Sequence, residues 1–171
     1  MRELITKPLS GKLIDQAFPL VQASLPSVDL EQWRDFAGQL IGDGAPDTTG
    51  ILSVLTEQGY IAGLSIYRVE PSLAHGPVLI ADHFMALDLF NRAAVVNVLA
   101  DVLEDLARRR GCTALHTHIP EKDGVWRGPA DCLVSILRNR GHAIESLRLC
   151  KQFDGAAQLT VRAPRDRARS A

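Results

Sequence analysis

The sequence predicts a single α/β domain, built on a mixed, mostly antiparallel sheet with helices on both faces. Two segment pairs have the pattern of β-hairpins, one long amphipathic helix lies between two apolar strand-like segments, and glycine or proline marks most changes of pattern. The 171 residues suffice for one hydrophobic core. We expect the domain to span residues 1–162 and a disordered basic tail to follow over 163–171.

Composition and charge are those of an ordinary globular protein. The chain is 46% hydrophobic and 23% charged, with a formal net charge of −1, so its overall field favours neither nucleic acid nor an anionic membrane as a partner. No apolar run reaches the roughly 18 residues of a membrane span, and no signal segment is recognisable. Three widely spaced cysteines form no CxxC pair, so we expect a reducing, cytoplasmic setting.

The N-terminal third predicts one short strand and two helices. Glu3–Thr6 has a strand pattern, and Ser10 is the expected N-cap of a first helix that Pro19 should kink or restart. Asp29 and Gln32 have the spacing of a capping box at the start of the second helix.

The middle of the chain predicts a hairpin followed by a parallel crossover. Ile51–Thr56 and Tyr60–Val69 are the hairpin strands, and Pro77–Leu87 is a long apolar strand. A helix over about 92–110 carries apolar residues at spacings of three and four, and a strand over Thr113–Ile119 follows it. Because the connections are short, the strands on either side of this helix should pair in parallel.

The C-terminal part predicts one more helix and a second hairpin. Pro129 fits the first position of the helix, and Gly141 fits its end. Asp154-Gly155 is a type I′ turn pair between Ala143–Phe153 and Ala156–Arg162. The full order is therefore β-α-α-β-β-β-α-β-α-β-β.

This order resembles that of the GCN5-related N-acetyltransferases (GNAT) over nearly the whole chain. VLEDLARRRGC (102–112) is similar to the end of that family's third helix, and LVSILRNRGHAI (133–144) to its fourth helix and the following strand. The resemblance implies an N-acyltransferase that uses acetyl-CoA as cosubstrate and a small-molecule or peptide amine as acceptor. It also implies that two parallel strands splay apart and hold the acyl group in the gap.

The family binds the CoA pyrophosphate at the turn before the third helix, in the motif R/Q-x-x-G-x-G/A, through backbone N–H groups. Here Asn91 stands at the R/Q position, Ala94 at the first glycine and Val96 at the second. The resemblance assigns cofactor binding to Met85, Ala86, Leu87, Asn91, Arg92, Ala93, Ala94, Val95 and Val96. We expect the branched Val96 to crowd a phosphate and Arg92 to compensate by charge. Alternatively, Asn91 is an ordinary N-cap and the next residues an ordinary first turn.

Acetyl transfer needs a base for the amine and an acid for the leaving thiolate. The candidate bases are His83, His116, His118 and Glu121. We rank His118, at the end of its strand, above His83, and Glu121 third as a residue acting through water. Each histidine could instead be a hydrogen-bonded, inert residue. In the family, a tyrosine on the fourth helix often acts as the general acid. The corresponding residue here is Leu137, which cannot donate a proton.

Two further questions stay open at this stage. His116 and His118 are two apart on one strand, which suits a pair of metal ligands, but no third ligand follows at a telling distance and no metal is predicted.

The missing glycines and tyrosine favour a second function, a non-catalytic GNAT-fold module that binds acyl-CoA, a small ligand or a protein. An open splay between the two parallel strands, with N–H groups pointing into it, would favour the enzyme. A gap filled by the side chain of Phe90 or Val96 would favour the non-catalytic module. The acceptor, the acyl group and any homodimer are not determined by the sequence.

Overall fold

A computed structural model describes residues 3–86, 91–119, 133–146, 149 and 151 of the chain. The strands in this part are β1 (Leu4–Pro8), β2 (Thr49–Thr56), β3 (Ile61–Ser72), β4 (Gly76–Ala86) and β5 (Ala114–Thr117). The helices are α1 (Ile14–Ser24), α2 (Leu30–Ile41), α3 (Arg92–Arg109) and α4 (Leu133–Asn139), and a 3-10 turn (Gly11–Leu13) leads into α1.

The five strands form one sheet in the order β1-β2-β3-β4-β5. The first four pair antiparallel, whereas β4 and β5 are parallel and α3 makes the crossover between them. Their register places Val78 beside Ala114 and Ala81 beside Thr117. The predicted mixed sheet, the first hairpin and the parallel pair are therefore confirmed.

Helices cover both faces of the sheet, as the sequence predicted. On one face, α3 and α4 bury Val95, Leu99 and Leu133 against β2, β3 and β4. On the other face, α1 and α2 form a second core, in which Trp33 is buried and its Nε1 donates a hydrogen bond of 2.8 Å to the Ile14 carbonyl. None of the described helices is both long and apolar enough to cross a membrane.

Local signals set several helix ends. The capping box is present: Asp29 Oδ1 accepts from Gln32 N at 2.8 Å, and Gln32 Oε1 accepts from Asp29 N at 3.0 Å. Gly111 and Gly141 follow α3 and α4 with φ of +69° and +93°, a conformation that glycine adopts without strain.

Three local predictions need correction. Ser10 precedes a 3-10 turn rather than α1 itself: its carbonyl accepts from Leu13 N, and its side chain makes no cap. Pro19 lies inside a continuous α1 and so does not restart the helix; it sits on the exposed side, and the expected kink stays a prediction. Residues 143–146 form no strand, and the rest of the predicted second hairpin lies outside the described residues, as does Pro129.

Close packing of α3 on the sheet depends on the absence of a side chain at Gly63 of β3. A Cβ there would lie 2.5 Å from Val95 Cγ1 and 3.2 Å from Leu99 Cδ1. Since both neighbours are fully buried, they cannot move aside without disturbing the core.

We predict that Gly63→Ala lowers the free energy of unfolding by about 1–3 kcal/mol through overpacking. The matched control is Gly38→Ala in α2, where an added Cβ meets nothing within 4 Å and should stabilise by about 0.5–1 kcal/mol. Urea unfolding measures both. Equal stability of Gly63→Ala and wild type would contradict this account of α3.

Candidate functional site

The parallel pairing of β4 and β5 stops well before β4 ends. Its last described hydrogen bond runs from His118 N to the Ala81 carbonyl, at 2.8 Å. Beyond that point β4 continues to Ala86 and, among the described residues, pairs with β3 alone. The described pairing therefore ends at Ala81 and His118, because β5 itself ends at Thr117. Among the described residues, no strand pairs with the β5-facing edge of the last part of β4.

A β-bulge lies at the same place. Ile66 pairs with Asp82 and Leu64 with Met85, so the single residue Ser65 faces two residues of β4. One of the two, His83, has φ of +49°, the only positive φ among the described non-glycine residues. Such a conformation costs about 1–3 kcal/mol and is found mostly where function or packing imposes it. The Ser65 hydroxyl, fully buried, donates to the Asp82 carbonyl at 3.4 Å.

The bulge decides which side chains face which core. Leu79 and Ala81 point towards α3, so strict alternation would send His83 into the same apolar core. The inserted residue shifts the phase instead, and Phe84 is the side chain buried beneath α3. His83 is thereby kept on the α1–α2 side of the sheet, where alternation already places Asp82.

Three polar side chains of adjacent strands meet on this face. The Asp82 carboxylate contacts Arg68 of β3 through Oδ2 and His118 Nδ1 through Oδ1. Arg68 Nε also pairs with Glu70 at 2.9 Å. The Asp82 side chain is only 14% exposed, so its charge is compensated by these partners. A carboxylate on Nδ1 favours the tautomer in which Nε2 of His118 accepts a hydrogen bond.

A cavity of about 430 Å³ lies between α1, α2 and the sheet. Its volume is in the range of small-molecule sites. Its walls are mainly apolar, and its polar groups include His83 and Gln32. The lining residues are Val21, Leu25, Ser27, Val28, Gln32, Trp33, Phe36, Ile66, His83 and Met85.

The N-terminus of α3 begins with an ordinary cap. Asn91 Oδ1 accepts from Ala94 N at 3.1 Å, and the Asn91 carbonyl accepts from Val95 N at 3.2 Å. Val95 and Val96 are fully buried in the core beneath α3. The expectation that Val96 crowds a phosphate is therefore wrong, because its side chain points into the core rather than out of the first turn.

The predicted site residues fall into separate groups. Met85 lines the cavity with His83, Ala86 packs towards α3, and His118 joins Asp82 at the end of β5. The partly buried Arg92, Ala93 and Ala94 form the first turn of α3. Leu87, Glu121 and Phe90 lie outside the described residues.

Sequence reasoning missed Arg68 and the role of Asp82. The available signal was the Asp82-His83 pair, which interrupts an otherwise apolar strand. The contact with Arg68 depends on the register of β3 against β4, which the pattern of one strand does not give.

Cys112 is a poor candidate nucleophile. It is partly buried, and burial raises the pKa of its thiol despite the opposing effect of Arg110. A raised pKa keeps the unreactive thiol form at neutral pH. Cys132 and Cys150 lie outside the described residues.

No family model matches the chain, and no curated protein matches its sequence. Solved structures match its fold. Glucosamine-6-phosphate N-acetyltransferase from Arabidopsis thaliana has a TM-score of 0.68 at 16% identity, covering 89% of this chain and 99% of its own. An aminoglycoside N-acetyltransferase in complex with CoA has a TM-score of 0.68 at 10% identity, and the match covers 89% of this chain and 96% of that one. A transcriptional regulator from Bacillus halodurans C-125 has a TM-score of 0.70 at 11% identity, and the match covers 88% of this chain and 100% of that one.

These identities are low, so the likeness establishes fold and not activity. The chain has the fold of the GCN5-related N-acetyltransferases, as its element order implied.

We predict that Asn91→Ala lowers the free energy of unfolding by about 1 kcal/mol, since it removes the oxygen that caps α3. Asn91→Ser is the matched control: its hydroxyl can accept the same hydrogen bond and should retain most of the stability. Urea unfolding compares the two. If Asn91→Ala and Asn91→Ser lower the free energy of unfolding equally, the hydrogen bond from Ala94 N to the side chain at position 91 contributes nothing to stability.

Proposed function

We propose that this protein is an acyl-CoA-dependent N-acyltransferase that transfers an acetyl group to a primary amine. The observation that carries the proposal is that the described β4–β5 pairing ends at Ala81 and His118 while β4 runs on to Ala86, close to His83, which lines the cavity. An open strand edge offers backbone groups to an extended ligand. The neighbour crystallised with CoA supports this choice of cosubstrate.

Acetyl-CoA would lie along the open edge of β4 with its pyrophosphate at α3. The strand end at Met85 and Ala86 would offer backbone groups to the pantetheine arm; the resemblance assigns Leu87, outside the described residues, to the same arm. The first turn of α3, Asn91 to Val96, would offer N–H groups and the positive end of the helix dipole to the phosphates. Because Asn91 now accepts from Ala94 N, it must turn aside for that amide to reach a phosphate. Arg92 in the same turn adds a positive charge.

The acceptor would be an amine with an apolar body. The cavity on the α1–α2 side holds a small molecule and is lined mainly by apolar side chains. His83 and Gln32 supply polar groups that can orient the amine. Neighbouring structures include an aminoglycoside acetyltransferase in complex with sisomicin, which shows that a GNAT fold can take a small-molecule amine.

His118 is the proposed base, and Asp82 is its positioning residue. The ammonium group of the acceptor loses a proton to Nε2, while Asp82 holds the ring through Nδ1. The amine nitrogen then attacks the thioester carbonyl carbon, so that a C–N bond forms and the C–S bond breaks. The nitrogen loses its second proton as the amide forms, and that proton can pass through water to the CoA thiolate. His83 is the second candidate base, and Glu121 a third through water.

The CoA thiolate that leaves must be protonated. Leu137 occupies the position of the family's tyrosine and is buried in the core at 2% exposure, so water is the proposed proton donor. The buried Leu137 and the Asn91 cap on Ala94 N are also the observations that favour the second function, a non-catalytic module with the same fold.

We predict that His118→Gln lowers turnover of acetyl-CoA by about 10²–10⁴-fold, because it removes the base while keeping the side chain's size. Acetyl-CoA affinity, measured by calorimetry, should not change. Asp82→Asn should lower turnover less and leave KM for acetyl-CoA as it was, since it weakens the hold on the ring. It also weakens the contact with Arg68, so circular dichroism must show that this variant is folded. A panel of primary amines supplies the acceptor.

The matched control is His142→Gln, a histidine away from the gap whose pKa is lowered mainly by burial. It should leave turnover unchanged. If His83→Gln abolishes turnover and His118→Gln does not, His83 is the base. If neither variant lowers turnover, both assignments fail, and if no amine is acetylated, the binding module is the better account.

A further inference from the structure

A second polar cluster lies on the same face of the sheet, further back along β5. It consists of His75 in the β3–β4 turn, His116 in β5 and Glu145 in the segment after α4. Its three potential ligand atoms all lie within 4.8 Å of one another. The spacing of His116 and His118 suggested a pair of metal ligands, but the partners of His116 in this cluster are far from it in the sequence, and His118 is not one of them.

One contact in this cluster is a hydrogen bond, between His75 Nε2 and Glu145 Oε2, and the spacing of the cluster is also compatible with a shared metal ion. Glu145 Oε2 lies 3.3 Å from His75 Nε2 and 3.7 Å from His116 Nε2. A tetrahedral zinc ion about 2.0–2.1 Å from each ligand would space them about 3.3–3.4 Å apart. The distance from His116 Nε2 to Glu145 Oε2 is too long for a hydrogen bond. These two atoms would need to move closer by only a few tenths of an ångström to bind the same ion.

A second observation comes from His116 itself. Its Nε2 is buried and makes no hydrogen bond within the part of the chain that the structure describes. Buried polar atoms are nearly always satisfied. The same atom points towards Glu145, and the His116 ring meets the His75 ring edge-on, with centroids 5.4 Å apart.

The backbone around the cluster is well braced. Thr113, just before β5, donates its hydroxyl to the His75 and Pro77 carbonyls, and Thr113 N donates to the Pro77 carbonyl at 2.8 Å. The end of α4 is held to α3, because Arg140 pairs with Asp101 and with Glu104, the latter at 2.9 Å. The segment that carries Glu145 therefore starts from a fixed point.

We propose that His75, His116 and Glu145 bind a divalent transition-metal ion, with zinc as the best match. Two imidazoles and one carboxylate are ligands that zinc accepts, and soft thiolate ligands are not part of the set. The fourth position is open to water, since Glu145 is 55% exposed. The ion would clamp the turn before β4 and the segment after α4 onto β5. The proposal is independent of acetyl transfer.

The test is a zinc titration of the full chain after treatment with a chelator. Wild type should bind one zinc ion per chain with micromolar or tighter affinity, and its Tm should rise with zinc concentration. His75→Ala and His116→Ala should each weaken binding by more than about 100-fold, since loss of a ligand should exceed the 10–100-fold effect of an outer-shell change. Glu145→Gln should weaken it too.

His142→Gln is the matched control and should bind zinc as wild type does. X-ray absorption at the zinc edge should show nitrogen and oxygen ligands at about 2.0–2.1 Å and no sulfur at about 2.3 Å. Circular dichroism establishes that each variant is folded, and His75, on a turn, can be replaced without touching the core. Absence of zinc binding, affinity unchanged in both histidine variants, or sulfur ligation would each overturn the proposal.

Discussion

The early end of the β4–β5 ladder is the constraint on which the proposed function depends. Parallel strands normally satisfy each other's backbone groups along their shared length. Here, the last described bond joins His118 to Ala81, while β4 runs on to Ala86. The bulge at His83 occurs at this junction, keeps His83 out of the α3 core and places Phe84 in it. One local insertion thus puts His83 on the same side of the sheet as Asp82, where it lines the cavity under α1 and α2.

The position of α3 follows from packing rather than from its own cap. Gly63 lets Val95 and Leu99 approach the sheet closely, and this contact fixes where the helix N-terminus stands relative to the end of β4. A glycine-rich turn is therefore not needed to bring the helix close to the gap. The Asn91 cap and the Val96 side chain are both compatible with a ligand, because the first can rotate and the second is buried.

The sequence predicted the elements that depend on local patterns. The apolar spacing of α3, the capping box of Asp29 and Gln32, and the short connections of the crossover each specify structure within a few residues. The bulge at His83 could not be predicted, because its position depends on how β3 and β4 pair. The Arg68–Asp82–His118 contacts need three strands in register, and the cluster of His75, His116 and Glu145 needs the whole sheet in place. Long-range register is what a single sequence specifies least well.

Hydrogen–deuterium exchange with and without acetyl-CoA tests the central claim most directly, since it reports on individual backbone amides. If acetyl-CoA lies along the open edge of β4, exchange should slow at residues 82–86 and at the first turn of α3, with little change in β1 and β2. Exchange that is unaltered at saturating acetyl-CoA, or slowed only at sites away from the gap, would contradict the account.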